Sequence, residues 1–371
     1  MATEIEMKTE RLRQLLDRQG LDGLLLNGQH NFAWITGGGS NGVDTSRENG
    51  AATILVTRDG RRLILASRIE MERMLNEQLL ADEFEPIQFG WQDERASSSY
   101  LIDRAIDISG GTRIASDIPI DPAVKAIDGR ISECRVRLTP QEIDRIRILG
   151  SDAGRVMRKI FDRIAPRETE IEIAAKLTFE MAVLGIKAIV TLVAADERIA
   201  KYRHPMPTGN RWKKTVLLVV CAKRDGLIVS LSRIATVGQT DPELVDRTHA
   251  AAFVNSVLWN ATREGVKGSE IYHAAARAYK CSGFADEIDK HHQGGAAGYR
   301  TREWLAHPHS QEVAHTNMAY AWNPSITGTK VEETVIAGEN GVGVITSSAG
   351  FPKIEHTIEG STYFSPGILE I

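Results

Sequence analysis

Apolar and polar positions change period along the chain, and each change marks an element. Ile5, Leu12, Leu15 and Leu16 fall at helical spacing among charges, which predicts an amphipathic helix ended by Gly20. Leu21–Leu26 is a short apolar run and reads as a strand. Ala51–Val56 and Leu63–Ala66 read as two more, joined at Asp59 and Gly60, and Ile69–Leu80 has helical spacing. Between them lies Asn31–Ser40, aromatic and apolar first and then glycine-rich. Strands and helices continue to about Val136, so residues 1–137 predict one α/β domain.

A new start follows at Leu138–Glu142, where Thr139 precedes Pro140, a good helix beginning. A second helix is predicted over Glu170–Leu184, with Thr169 as its cap and Gly185 as its stop. Pro242–Tyr279 reads as two helices broken near Gly265 and Gly268. The segment after Ala319 alternates as strands linked by polar turns. Residues 138–371 therefore predict an α+β domain.

The middle of that domain carries a hairpin. Thr215–Ala222 is apolar enough for a buried strand, Asp225 and Gly226 favour a two-residue turn, and Leu227–Leu231 supplies the return strand before Ser232 and Arg233. His204 lies on a loop just upstream. A second chemical stretch, DKHHQGGAAGYRTREWL, begins at Asp289.

Composition narrows the classes. Apolar residues make up 42% and charged residues 25% of 371, ordinary for a globular chain with two cores. A net charge of -4 argues against a nucleic-acid partner. No apolar run is long enough for a membrane span, and the charged N-terminus lacks the core of a secretory signal. Cys134, Cys221 and Cys281 form no paired motif and read as inert buried thiols in a reducing cytoplasm.

The hairpin resembles the start of the catalytic half of the pita-bread family, which includes creatinase, prolidase and the Xaa-Pro and methionine aminopeptidases. RLRQLLDRQGLDGLLLNGQHNFAWITG likewise resembles the opening of the creatinase and prolidase N-terminal domain. The resemblance implies an α/β N-terminal domain followed by a catalytic domain with a curved antiparallel sheet. It also implies a homodimer in which the N-terminal domain reaches the partner's active site. Arg47, in the polar loop Asp44–Asn49, is then the best single residue for that contact.

Five metal-ligand positions of the family's peptidases can be followed. Val219 and Ser230 stand where the two aspartates belong. His292 matches the family histidine, Asn323 replaces one glutamate, and Glu332 matches the other. A pair of divalent ions needs bridging carboxylates, and one imidazole with one carboxylate is too few for a retained ion. The resemblance with these losses implies no catalytic metal and no cofactor.

Creatinase shares the fold and works without metal, so the same comparison implies a metal-independent hydrolase. Its substrate would be a small carboxylate-bearing nitrogen compound with an amide, amidine or ring C–N bond. His204 would be the general base and acid, with His292 and Glu332 as further catalytic groups. Arg302 would clamp the substrate carboxylate, in a register ambiguous by one residue. Tyr299, Trp322, Asn323 and Ser230 would complete a neutral substrate pocket, and Gly294, Gly295 and Gly298 would let backbone approach the ligand. His291, adjacent to His292, would face away, as neighbours on a strand do. Three other readings stay open: a lyase on the same fold, a non-catalytic binding protein, and a metal-dependent Xaa-Pro peptidase.

Overall fold

The computed structural model describes residues 3–80 and 82–371, and the chain divides into two compact units, Met1–Gln141 and Glu142–Ile371. The first opens with α1 (Glu4–Gln19), where Thr3 caps the N-terminus and exchanges bonds with Glu6. Gly20, at φ 65°, closes it in the left-handed region. A mixed sheet follows, formed by β1 (Gly23–Gly28), β2 (Asn49–Thr57), β3 (Arg62–Ser67), β4 (Glu85–Phe89), β5 (Ile114–Ser116) and β6 (Lys125–Ala126). Its spatial order is β4-β3-β2-β1-β5-β6. The short helices α2 (Gln29–Ile35), α3 (Met71–Arg73), α4 (Trp91–Ala96), α5 (Tyr100–Ser109) and α6 (Asp128–Arg135) connect or flank these strands.

Leu25, Leu55, Leu63, Leu65, Phe89 and Ile102 form one core of this unit. The predicted helix over Ile69–Leu80 is shorter than expected, with α3 running into a π-turn at Met74–Gln78. Arg47 lies in an exposed loop and pairs with Asp44 at 3.2 Å.

The second unit carries α7 (Pro140–Ile160) and α8 (Glu170–Ala182), the latter capped by Thr169 as its sequence predicts. Then come β7 (Lys187–Ala195), α9 (Glu197–Lys201), β8 (Thr215–Arg224) and β9 (Leu227–Thr236). Asp225 and Gly226, at φ 51° and 79°, make the tight turn between β8 and β9. The return strand runs past Ser232 and Arg233 rather than ending there, because buried Arg233 finds Glu333 at 2.7 Å. Helices α10 (Pro242–Ala261) and α11 (Gly268–Cys281) follow.

The last third is strand-rich. It holds β10 (Gly294–Ala297), β11 (Trp304–Leu305), β12 (Ala319–Trp322), β13 (Ser325–Ile326), β14 (Thr329–Lys330), β15 (Glu333–Gly338) and β16 (Gly341–Val344). A final hairpin of β17 (Lys353–Ile358) and β18 (Ser361–Pro366) leads to β19 (Ile368–Glu370). Five strands pair antiparallel in the order β11-β10-β12-β15-β16, and four pair as β19-β9-β8-β7. A bridge between Ser232 and Glu332 brings β9 against the segment entering β15. No described helix is long and apolar enough to cross a membrane.

The cysteines correct one expectation: Cys134 and Cys221 are buried, but Cys281 is exposed at the end of α11. Burial pushes the Cys134 thiol up to about 11 and raises Cys221 as well, with Glu332 adding to the second shift. A thiol reagent at mildly alkaline pH is therefore expected to label Cys281 alone in the native chain and all three cysteines after denaturation. Mass spectrometry of the labelled peptides checks this.

Candidate active site

The site is assembled by two loops that buried glutamates hold in place. Glu170, the first residue of α8, is fully buried and accepts the Ala195 and Thr208 N–H groups, each at 2.9 Å. It also takes the Thr208 hydroxyl and the Arg198 guanidinium. These bonds pin both ends of the loop that carries His204. Glu287 fixes that loop from the other side. It accepts Arg203 at 2.5 Å, the Thr327 N–H at 3.0 Å and hydroxyl at 2.8 Å, and Lys290 at 2.9 Å. Arg203 directly precedes His204, and Lys290 directly precedes His291, so one carboxylate sets the approach of both histidines.

The histidine pair is not on a strand. A short 3₁₀ turn, Ala285–Lys290, ends at His291, and β10 begins only at Gly294. The alternation rule therefore fails, and the two rings stack with centroids 4.4 Å apart. Gln293 locks the segment by donating to the His291 carbonyl at 2.6 Å and accepting from the Tyr279 hydroxyl at 2.8 Å. His204 Nε2 lies 3.1 Å from His291 Nε2. One ring nitrogen from each of His204, His291 and His292 lies within 4.8 Å of the other two. His204 is exposed while His291 is buried, so the cluster runs inward from the surface.

All three imidazoles are held neutral. Burial lowers His204, and the Lys330 ammonium lowers it further. Burial pushes His291 down to about 2, with Lys330 again adding. Burial and then Arg302 push His292 down to about 4. His291, set aside by the sequence pattern, is thus a member of the cluster. Its signal was the break before Gly294, which the run of glycines in the sequence hints at.

Beneath the histidines sits an ion triad. Buried Glu332 takes Lys330 at 2.9 Å on one oxygen and Arg302 at 3.1 Å on the other. Burial alone would raise its carboxyl, but the two cations outweigh that and hold it below the usual range. Glu332 is therefore bound to cations and makes no hydrogen bond to a histidine among the described residues. Arg302 donates to Glu332, to the Ser230 hydroxyl at 3.3 Å and to the Thr301 carbonyl at 2.6 Å.

The other expected pocket residues are all buried. Tyr299 is buried and donates to Glu142 at 2.7 Å. Trp322 is buried, donates to Thr262 at 3.1 Å and stacks on Tyr320. Asn323 is buried with its N–H on the Gln293 carbonyl at 3.0 Å. Ser230 is buried, with its hydroxyl 3.2 Å from Cys221 Sγ and its N–H on Thr334. Gly294 and Gly295 admit neighbouring strands, not a ligand: an added Cβ would lie 2.1 Å from the Ala321 carbonyl and 2.0 Å from that of Trp304.

The carboxylate-bridged ion pair of the peptidases does not fit this geometry. Val219 packs among Leu192, Ala194, Leu217 and Ile234. Ser230 and Asn323 add no charge, and the surviving carboxylate already carries two side-chain cations. Removing that carboxylate in Glu332→Ala strands both cations in the interior. The expected cost is about 3–5 kcal/mol in urea unfolding, partly recovered when Lys330→Met accompanies Glu332→Gln, since one of the two stranded cations is then removed.

Residues 144–359 match metallopeptidase family M24, and residues 8–147 match the creatinase/prolidase N-terminal domain. The Xaa-Pro dipeptidase of Pyrococcus furiosus is 24% identical over 234 residues, 60% of this chain and 67% of that enzyme. The solved Xaa-Pro dipeptidase of Bacillus anthracis is similar in fold with TM-score 0.76 and 20% identity, covering 93% of this chain and 98% of that one. A dipeptidase from Pyrococcus horikoshii gives TM-score 0.78 and 20% identity, with 92% and 98% covered. These findings overturn the expectation of a metal-independent, creatinase-like hydrolase of a small nitrogen compound. That expectation counted the carboxylates lost and weighed the histidines singly, whereas three neutral imidazoles stand together. The sequence match over both domains and the shared two-domain fold lead to one assignment: the chain belongs to metallopeptidase family M24.

Proposed function

We propose that this chain is a dipeptidase-type hydrolase that cleaves the peptide C–N bond of Xaa-Pro dipeptides, with the imidazole cluster as its reaction centre. The observation that carries the reading is the meeting of His204, His291 and His292 at the surface end of a buried ion triad. Family membership supplies the reaction class, and the Xaa-Pro dipeptidase of Pyrococcus furiosus supports the substrate class.

The chain's own residues supply three things toward this reaction. Glu170 and Glu287 fix the two loops, so that the reacting groups are positioned before substrate arrives. The cluster offers unprotonated nitrogens, because burial and the nearby cations keep the imidazoles neutral. Exposure of His204 leaves the outer side of the cluster open to a small ligand.

The test is release of free proline from a panel of Xaa-Pro dipeptides, with non-prolyl dipeptides as comparison. The wild-type chain is expected to favour the prolyl set. His204→Ala, on an exposed loop outside the core, is expected to lower kcat/KM by roughly 10²–10⁴-fold. Failure to hydrolyse any dipeptide, or equal turnover by His204→Ala, overturns the proposal.

A further inference from the structure

We propose that His204, His291 and His292 together hold one zinc-class divalent cation, a mononuclear site that stands in place of a carboxylate-bridged pair. It deepens the hydrolase reading above and rests on that reading only for the ion's purpose.

Geometry is the first argument. Zn–N bonds of about 2.0–2.1 Å at a tetrahedral angle place ligand nitrogens about 3.3 Å apart. His204 Nε2 and His291 Nε2 are already 3.1 Å apart. The His292 nitrogen lies within 4.8 Å of both.

Unmet bonding is the second argument. His291 is 8% exposed, its Nε2 meets only another imidazole, and its Nδ1 has no hydrogen-bond partner among the described residues. Nδ1 of His292 likewise has none. Two neutral imidazoles facing each other can share at most one proton between the facing nitrogens. A cation between them would instead accept a lone pair from each. A buried imidazole nitrogen whose neighbour is another neutral imidazole is poorly satisfied, and such atoms mark sites where something else binds.

Donor chemistry is the third. Three neutral nitrogens suit zinc and other imidazole-binding metals, whereas magnesium and calcium call for oxygen donors. Three protein ligands with an exposed side make the pattern of a catalytic zinc site, not of a closed structural one. Such an ion supplies Lewis-acid polarisation of a carbonyl oxygen.

Electrostatics sets the affinity. Lys330 opposes a cation at the cluster, while Glu332, paired with it at 2.9 Å, offsets it. The ion is therefore held by ligation rather than by net charge, and Lys330→Met is expected to tighten binding.

The experiment uses the full chain, stripped with a chelator, titrated with zinc by calorimetry and assayed for bound metal after dialysis. One zinc per chain is expected. His204→Ala and His291→Ala should each weaken binding by roughly a hundredfold or more, exceeding the 10–100-fold typical of outer-shell changes. Glu332→Gln should keep its one zinc, and cobalt(II) in the wild-type chain should show the intense visible absorption of low coordination number. Circular dichroism of each variant separates lost ligation from lost folding, and His204→Ala leaves the buried part of the cluster unchanged. No retained zinc, two ions per chain, or loss in Glu332→Gln with retention in both histidine variants overturns the proposal. Because binding is read without substrate, zinc without dipeptide hydrolysis defeats the functional reading alone. Hydrolysis without zinc defeats this one alone.

Discussion

A carboxylate removed from water must be neutralised or protonated, and Glu332 is neutralised from both sides at once. This constraint governs the catalytic unit. Lys330 comes from β14, Arg302 from the turn before β11, and the Glu332 backbone bridges to Ser232 on β9. The neighbouring Lys330 and the distant Arg302 therefore converge on one carboxyl group, while the backbone beside it is tied to β9. The arrangement also decides what the site can be. A carboxylate occupied by two fixed side-chain cations has little left to offer a hard metal ion, so the position that matches a family ligand is held here in an internal ion triad.

Glu170 and Glu287 act by the same physics on the loops above. Each is buried, each carries at least one cation, and each also takes backbone N–H groups that no strand or helix satisfies. Burial by itself would raise both carboxyls, and the donors outweigh it and lower them. Negative charge in this unit is thus spent on holding loops, and the groups left for chemistry are neutral nitrogens. A site of this kind favours softer, imidazole-binding partners over oxygen-seeking ones.

What could be read from the sequence follows from how local the determining physics is. The turn at Asp225 and Gly226, the Thr169 cap and the Gly20 stop are set by residues within a few positions of one another. All appear where the pattern places them. The surroundings of Trp322 and Tyr299 are not local, because their side chains bond partners far along the chain, Thr262 and Glu142. Arg302 shows the same limit. A guanidinium suited to a substrate carboxylate is equally suited to a buried glutamate, and no local signal separates the two.

His291 shows the limit most plainly. The period-two rule sent it away from the site because the segment was taken to be extended, yet the 3₁₀ turn ends at Lys290 and the strand starts at Gly294. In that gap both adjacent rings stack on the same side. Following a family's ligand positions one by one detects every loss and no gain, because a new donor arises at a position the family does not use. Here the losses lie on β8, β9 and β12–β13, while the added donors come from the His204 loop and the His291 turn. Donor count around a point in space, not identity at inherited positions, is the quantity that decides whether an ion can be held, and by that measure the cluster is richer than its alignment suggests.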